Sequence, residues 1–394
     1  MEAIQKRLAE EQTYLSALRR ELHRHPELSL QEFHTAERIE EELDRFGIPH
    51  TRVGETGVLG TLRGTGAGTG AVVLRADIDA LPIQETGGAE YASQTPGVMH
   101  ACGHDAHTAC LLGAAKLLAE RRTAFGGEVR FVFQPAEEVG QGAKPFVEAG
   151  VLDGADRVFG LHSAPDLPAG TVGLKPGLNN AAVDLFHISV HGEPAHVAEP
   201  QLGVDALYIA SQTVVALQAL VTRLTSPVEP VIIGVGKLHA GTTYNALAGS
   251  AVLEGTTRTV SQESRERVRE QIARTARNIA EIYGGTAEVQ WTDITPALVN
   301  DPQACREAAA AAEALGGGVR VVTDRSLSLC GDNFAEYLLH TPGAYAYLGT
   351  GNPVLPNTLS SLHNGNFDVD ERALMLGAGL YAGYALSRLT GKEP

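Results

Sequence analysis

"HTACLLGAAKLLAERRTAFGGEVRFVFQ", residues 107–134, changes periodicity halfway along. Leu111, Ala115 and Leu118 recur at helical intervals, which predicts a helix over 107–122; "EVRFVFQ" (128–134) is β-branched and aromatic and reads as a strand. Working outward, "AVVLRA" (71–76) and "DRVFGLH" (156–162) are strands on either side, and "KPFVEAG" (144–150) marks a short helix. Strands alternating with helices predict an α/β layer around a largely parallel sheet. The glycine-rich "GTGAGTG" (64–70) reads as a hairpin turn.

The pattern changes near residue 181. "DLFHISVHG" (184–192) alternates in period two and a helical stretch fills 203–224. The strands "PVIIGVGKLHA" (230–240) and "SAVLEGTTRTV" (250–260), a charged helix (262–282) and "TAEVQWT" (286–292) follow. Strand, helix, strand, strand, helix, strand is the ferredoxin-like order. Helix "DPQACREAAAAAEALGG" (301–317), then strands "VRVVTD" (319–324) and "AYAYLGT" (344–350), return to the first pattern. The expected organisation is one domain from 1–180 and 293–394, interrupted by a smaller one at 181–292. Asp368 and Glu371 sit at N-cap and N3 spacing before the final helix.

At 394 residues the chain can bury a large core and a second unit. Its 31 basic against 47 acidic residues, net −16, exclude nucleic acid and anionic membranes as partners. The N-terminus is a charged amphipathic helix with Ile4, Leu8, Leu15, Leu18 and Leu22 on one face, not a signal peptide, and no apolar run is expected to reach spanning length. Four cysteines without Cys-x-x-Cys spacing argue against a disulfide scaffold and for the reducing cytoplasm.

Chemistry concentrates in "MHACGHDAH" (99–107). Cys102 and His104 are two apart, so on an extended loop both point the same way, as a first-row divalent ion would require. A loop histidine beside a buried cysteine is the equal alternative. "QPAEE" (134–138) places Glu137 and Glu138 directly after a strand; neighbours there diverge, so one carboxylate can ligate while the other faces a water. A solvated helix start explains the pair equally simply. His162 ends another predicted strand, and His363 lies in a loop before the last helix. The first three groups lie at or beyond strand C-termini, where open α/β sheets bind ligands. One Cys, one Glu and three His exceed what one four-coordinate ion with an open position takes; two ions fit better.

Along nearly the whole chain, "RRELHRHPELSLQEFHT" (19–35), "LRADIDALPIQE" (74–85), "MHACGHDAH", "FVFQPAEE" (131–138), "LHSAP" (161–165) and "LHNGNFDVDE" (362–371) occur in that order. Together they resemble the metal-dependent aminoacylase and amidohydrolase family that includes hippurate and auxin-conjugate hydrolases, related to zinc exopeptidases. The resemblance implies a mixed, mostly parallel sheet sandwiched by helices, with the insert as lid and dimer interface. It implies that Cys102, His104, Glu138, His162 and His363 hold two divalent ions, manganese or zinc, with Glu137 as general base. Asp77 orients a ligand or is a strand-end turn carboxylate; His107 does likewise or simply opens its helix. His196 matches the family's lid histidine, an oxyanion donor that reaches the neighbouring subunit's centre, and Asn245 matches a lid asparagine that touches substrate. The implied reaction cleaves N-acyl amino acids to a carboxylic acid and an amino acid, in a homodimer or dimer of dimers. A dipeptidase or aminopeptidase, which needs a carboxylate for a free α-amine, is the alternative; a non-catalytic relative would lack Glu137 or a ligand, and none is missing. A redox role for Cys102 lacks a nearby resolving cysteine.

Four stretches depart from the family's pattern. Its Asn-Val-Ile-Pro is Asn245-Ala246-Leu247-Ala248, which removes a fixed φ. Glu193-Pro194-Ala195 replaces small glycines before the lid histidine, Cys330-Gly331-Asp332-Asn333-Phe334 replaces Ser-Glu-Asp-Phe, and Asn364-Gly365 replaces Asn-Pro. The ligand set is intact, so the departures bear on substrate rather than reaction.

Overall fold

The computed structural model describes residues 2–390, and the side chains of Ile4 and Leu8, two members of the expected apolar face, lie outside the described residues. The first half of the chain forms α1 (Glu2–Arg24), α2 (Phe33–Arg45), β1 (His50–Val53), β2 (Gly57–Arg63), β3 (Ala71–Asp77), α3 (His104–Glu120), β4 (Glu128–Gln134), α4 (Ala143–Glu148), β5 (Arg157–Pro168), β6 (Thr171–Leu174) and β7 (Gly177–Asn180). A second compact unit, Asn180–Leu298 with Leu327–Asp332, contains β8 (Ala182–His191), α5 (Ala206–Ala219), β9 (Ile232–Ala240), β10 (Ser250–Thr259), α6 (Gln262–Ile282) and β11 (Thr286–Thr295). The chain then returns through β12 (Leu298–Asn300), α7 (Pro302–Ala314), β13 (Arg320–Val322), α8 (Ala335–Leu338), β14 (Gly343–Gly351) and α9 (Ala373–Leu389).

The first unit is built on an eight-stranded sheet in the order β1-β2-β4-β3-β5-β14-β6-β13. β3 is parallel to both β4 and β5, β5 to β14 and β6 to β13, while β1–β2, β2–β4 and β14–β6 are antiparallel. Every residue of β3 is buried, the mark of a strand covered on both faces. Neighbouring residues on β5 show the cover. The Phe159 ring stacks on Tyr384 of α9 at 4.6 Å, whereas a Cβ on Gly160 would meet the Phe334 ring at 2.9 Å. Successive strand residues face opposite sides, so helical segments sandwich the sheet as expected. On α1, Leu15, Leu18 and Leu22 are buried in this core.

The second unit has an antiparallel sheet in the order β11-β8-β10-β9, with α5 and α6 packed on it. In this unit's own strand numbering that is 4-1-3-2, the ferredoxin-like arrangement. Its core runs from Phe186, Ile188 and Val190 of β8 to Ile209 and Leu217 of α5 and Val268 and Ile272 of α6. The buried Asp184 carboxylate is gripped by Arg265 at 2.6–3.1 Å. Leu327–Asp332 joins this unit through Ala181 N–H donating to Ser328 O (3.0 Å) and Thr295 Oγ1 donating to Asp332 O (2.9 Å). Gly331 allows that approach, since a Cβ there would lie 2.5 Å from Val183 Cγ2.

Three expectations need correction. Residues 64–70 are not a hairpin turn: β2 and β3 pair with opposite sides of β4, and the glycines cross beneath it. Their amides bond to the segment entering β4, Gly64 to Gly127 O (3.0 Å) and Gly66 to Phe125 O (2.7 Å). Asp368 and Glu371 do not cap α9, which begins at Ala373; Arg19 and Arg20 of α1 claim them in ion pairs at 2.8 Å. Finally, Ala206–Leu224, with its terminal π turn, is a 19-residue helical run apolar and long enough to cross a membrane by length and composition alone. Ile209, Ala210, Leu217 and Leu220 are buried in the second unit's core.

Close packing of α3 against α9 yields a test. A Cβ on Gly377 would sit 2.5 Å from Cys110 Sγ and 3.0 Å from Leu348 Cδ2. Gly377→Ala is expected to lower unfolding stability by about 1–3 kcal/mol, as overpacking does. Unchanged denaturant unfolding would show that the helices are not in such contact.

Candidate metal centre

Beyond Gly160, β5 continues without β3 beside it, and the side chains of the site gather there. His162 lies inside β5, which runs six residues past the predicted end at 162. Its Nε2 is 3.3 Å from Cys102 Sγ, and its Nδ1 donates to Ser163 O at 2.9 Å. Cys102 precedes α3, whose start is set by Gly103 at φ +86°. A Cβ on Gly103 would meet Ser163 Oγ at 2.6 Å, so both the angle and the space demand glycine.

His104, in the first turn of α3, is buried and directs Nδ1 to Asp79 Oδ1 at 3.2 Å. That leaves Nε2 pointing toward Glu138 Oε1 and Asp77 Oδ2, each 3.8 Å away. Glu138 Oε1 is 3.3 Å from His363 Nε2. His363 has φ +61° and is tied by its amide to Ala101 O at 2.8 Å. Glu137 Oε1 accepts from Asn333 N–H at 3.2 Å.

Glu137 and Glu138 do not diverge as an extended chain would require. The strand ends at Gln134, Ala136 turns left-handed at φ +52°, and both carboxylates come within 4.8 Å of a His104 nitrogen and of each other. Cys102, His104 and His162 form one such group, and Cys102, Glu138 and His363 another. All five expected ligands and the expected base are therefore together. His196 and Asn245 belong to the second unit, exposed and adjacent: Val197 N–H donates to Asn245 O at 3.1 Å, and His196 Nδ1 accepts from Ala198 N–H at 3.1 Å.

Around the candidate ligands stands a set of supports, of which Asp77 and His107 were expected and Asp79, Ser163 and Asn333 were not. Asp77 accepts from Arg75 Nη1 and His107 Nδ1, both at 2.6 Å, and His107 Nε2 contacts Ser163 Oγ at 2.9 Å. Asp79 holds His104, and its Oδ2 also accepts from Glu138 N–H (3.1 Å) and Ser29 Oγ (2.7 Å). Asn333 Oδ1 accepts from Arg75 and Gln134. Asp79 lies in the same "RADID" run as Asp77, and its alternation with Asp77 was the one available signal. His100, the third imidazole of 99–107, faces His23 rather than the cluster.

The surroundings set the protonation of these groups. Burial, with Glu138 adding to it, pushes the Cys102 thiol well above its usual range. Burial and the neighbouring His107 push His162 well below its own. Burial would raise Asp77, but Arg75, His104 and His107 outweigh it and hold the carboxyl well down. His104 Nε2 is buried without a hydrogen-bond partner, and the buried Glu138 Oε1 has His363 Nε2 at 3.3 Å. A buried polar atom is rarely left so, and His104 Nε2 faces the same place as Glu138 Oε1, 3.8 Å away. A thiolate, three imidazoles and a carboxylate suit borderline divalent cations, so the donor set fits two metal ions.

Asp79 generates the first test of this centre. Partners that fix a ligating histidine's ring contribute about 10–100-fold to metal affinity. Asp79→Ala is expected to weaken metal binding by that factor, measured by chelator competition; unchanged affinity would remove Asp79 from the centre.

Residues 73–387 match the description Peptidase family M20/M25/M40. An N-acetyl-L-cysteine deacetylase of Bacillus subtilis is 42% identical over 370 residues, covering 92% of this chain and 85% of its own. An N-acyl-L-amino acid amidohydrolase of Geobacillus stearothermophilus is 44% identical over 289 residues, covering 73% and 78%. A crystal structure from Bacillus subtilis, described as a dinuclear metal binding peptidase from the M20 family, superposes with TM-score 0.82 at 38% identity, covering 96% of this chain and 98% of that one. The chain belongs to peptidase family M20/M25/M40.

Proposed function

We propose that this chain hydrolyses the amide bond of N-acylated amino acids, releasing a carboxylic acid and an amino acid. The observation that carries the reading is the buried, unpartnered His104 Nε2 facing Glu138 Oε1 among converging metal-compatible side chains, with Glu137 beside them. The names of the deacetylase and amidohydrolase relatives support the substrate class. Cys102, His104, Glu138, His162 and His363 would hold the two ions, manganese or zinc. When bound, the ions supply polarisation of the scissile carbonyl and acidification of water. Glu137, steadied by the Asn333 amide, takes the proton of the attacking water and hands it to the departing nitrogen. His196 donates to the developing oxyanion, and Asn245 to the substrate's carbonyl or carboxylate. Asp77 orients the ligand shell through His107.

The second unit is the lid and the dimer interface in this reading. Its strand β9 is an edge strand with most side chains exposed, and such an edge needs covering or pairing. Pairing across a two-fold axis gives a closed homodimer, which can pair again into a dimer of dimers, and His196 then serves the partner's centre. Four free thiols, three of them buried, agree with the reducing cytoplasm. Turnover of N-acetyl, N-benzoyl and long-chain N-acyl amino acids and of free dipeptides, with manganese, zinc and cobalt loaded separately, tests the substrate class. Dipeptides as the sole substrates would overturn it.

Two predictions separate the roles. Glu137→Gln is expected to keep its metal and lose at least ~10²-fold in kcat, the usual size of general-base catalysis, whereas Glu138→Ala loses metal. A wild-type rate in metal-loaded Glu137→Gln would refute the base. Mixing inactive His196→Ala with inactive Glu137→Gln under subunit exchange tests action in trans. Half the dimers are then mixed, each with one intact site, so roughly a quarter of wild-type activity returns. Verified exchange without recovery would show that His196 acts within its own chain.

A further inference from the structure

The motif "RRELHRHPELSLQEFHT" (19–35) supplies neither ligand nor base, yet its last third reaches the centre. Two backbone amides flank Glu137. Ala136 N–H donates to Glu32 Oε1 at 2.9 Å, and Glu138 N–H donates to Asp79 Oδ2 at 3.1 Å. Asp79 Oδ2 is itself held by Ser29 Oγ at 2.7 Å. Both anchors therefore belong to, or lead back to, Ser29–Glu32.

Glu32 is fully buried, and its other oxygen accepts from Thr56 Oγ1 at 2.8 Å. Ala136, its backbone partner, stands at φ +52°. The left-handed region disfavours a residue with a Cβ by roughly an order of magnitude in population. Non-glycine residues persist there only where their surroundings impose the angle. This angle is what brings the neighbouring carboxylates of Glu137 and Glu138 into one cluster.

We propose that Glu32 is a positioning residue for the hydrolytic centre: its carboxylate holds the Ala136 amide, and with it the left-handed turn that aims Glu137 and Glu138 at the same ions. The proposal rests on the reading of Glu137 as base and Glu138 as ligand. Glu32 acts through reach and hydrogen-bond acceptance, not through its charge. Two substitutions separate these. Glu32→Asp keeps the charge but is one methylene too short to span Ala136 N–H and Thr56 Oγ1. Glu32→Gln loses the charge but keeps the reach and an acceptor for Ala136, while the Thr56 hydroxyl can turn to accept from the amide.

The experiment compares both variants with wild type by amide hydrogen exchange at Ala136 in metal-free protein, by manganese and zinc affinity in chelator competition, and by kcat and KM on an N-acetyl amino acid. In Glu32→Asp, exchange at Ala136 should rise at least ~10-fold and metal affinity should fall about 10–100-fold. Its kcat should fall by up to ~10²-fold with KM little changed, the size of a small misplacement of catalytic groups. Glu32→Gln should stay close to wild type in all three. Adding Ala136→Gly to Glu32→Asp should restore much of the loss, because glycine takes this φ without penalty. Wild-type exchange and metal affinity in Glu32→Asp would overturn the proposal, as would equal damage in Glu32→Gln or no recovery with glycine. Should Glu32→Asp not fold, Thr56→Val loosens the same carboxylate: faster exchange at Ala136 supports the proposal and unchanged exchange refutes it. If the wild-type protein hydrolyses no N-acyl amino acid, the substrate reading fails while exchange and metal affinity still decide the role of Glu32.

Discussion

A carboxylate taken out of water costs several kcal/mol unless its lone pairs are used, and Asp79 uses them on three separate parts of the chain. It accepts from Ser29 after α1, from the Glu138 amide after β4, and faces His104 at the start of α3. Each partner alone is an ordinary hydrogen bond. Together they fix the His104 ring, the Glu138 backbone and the N-terminal segment against each other. Asp77 does the same work beside it, joining Arg75 to His107 and through Ser163 to β5. The sheet brings these groups within range, and the buried carboxylates set their directions.

The loops that bear the candidate ligands share a second property. Gly103, Ala136 and His363 all sit at positive φ, in or beside each of three segments that carry candidate ligands. Only the first is a glycine. Such backbone is held by its neighbours: Ala136 by Glu32, His363 by Ala101 O. Stiff, strained loops suit a site in which like-charged side chains must converge, because flexible ones would relax apart before a cation arrived. Burial raises the thiol of Cys102, which a bound cation would offset by favouring the thiolate, whereas the lowered His162 is already in the neutral form that ligates.

Much of this was legible beforehand because it depends on local chemistry. The β-branched and aromatic content of 128–134 and the helical spacing over 107–122 report element type, and both elements lie in the core, buried on more than one face. The candidate ligand types were legible too, since Cys102-x-His104, Glu137-Glu138, His162 and His363 stand at strand ends and loops, and the structure gathers them in one place. Their supports were not. Asp79, Ser163 and Asn333 are common residue types in common places, and only their contacts distinguish them. The capping residues make the same point from the other side: Asp368 and Glu371 have cap spacing, but two arginines from the far end of the chain pair with them and α9 starts beyond them.

The sequence by itself determined the alternation of strand and helix, the ferredoxin-like order of 181–292 and the set of metal-compatible side chains, because each of these rests on residues close in the chain. Tertiary structure decided the order of the strands, placing β4 between β2 and β3 so that 64–70 crosses rather than turns. It also decided the direction of the two adjacent glutamates. An alanine has no intrinsic preference for φ +52°; it holds that angle where a buried carboxylate from more than a hundred residues earlier takes its amide hydrogen bond and the Gln141 and Gly142 amides donate to its carbonyl. Local propensity is too weak to specify such a turn, and a long-range hydrogen bond in a water-free interior is strong enough to impose it.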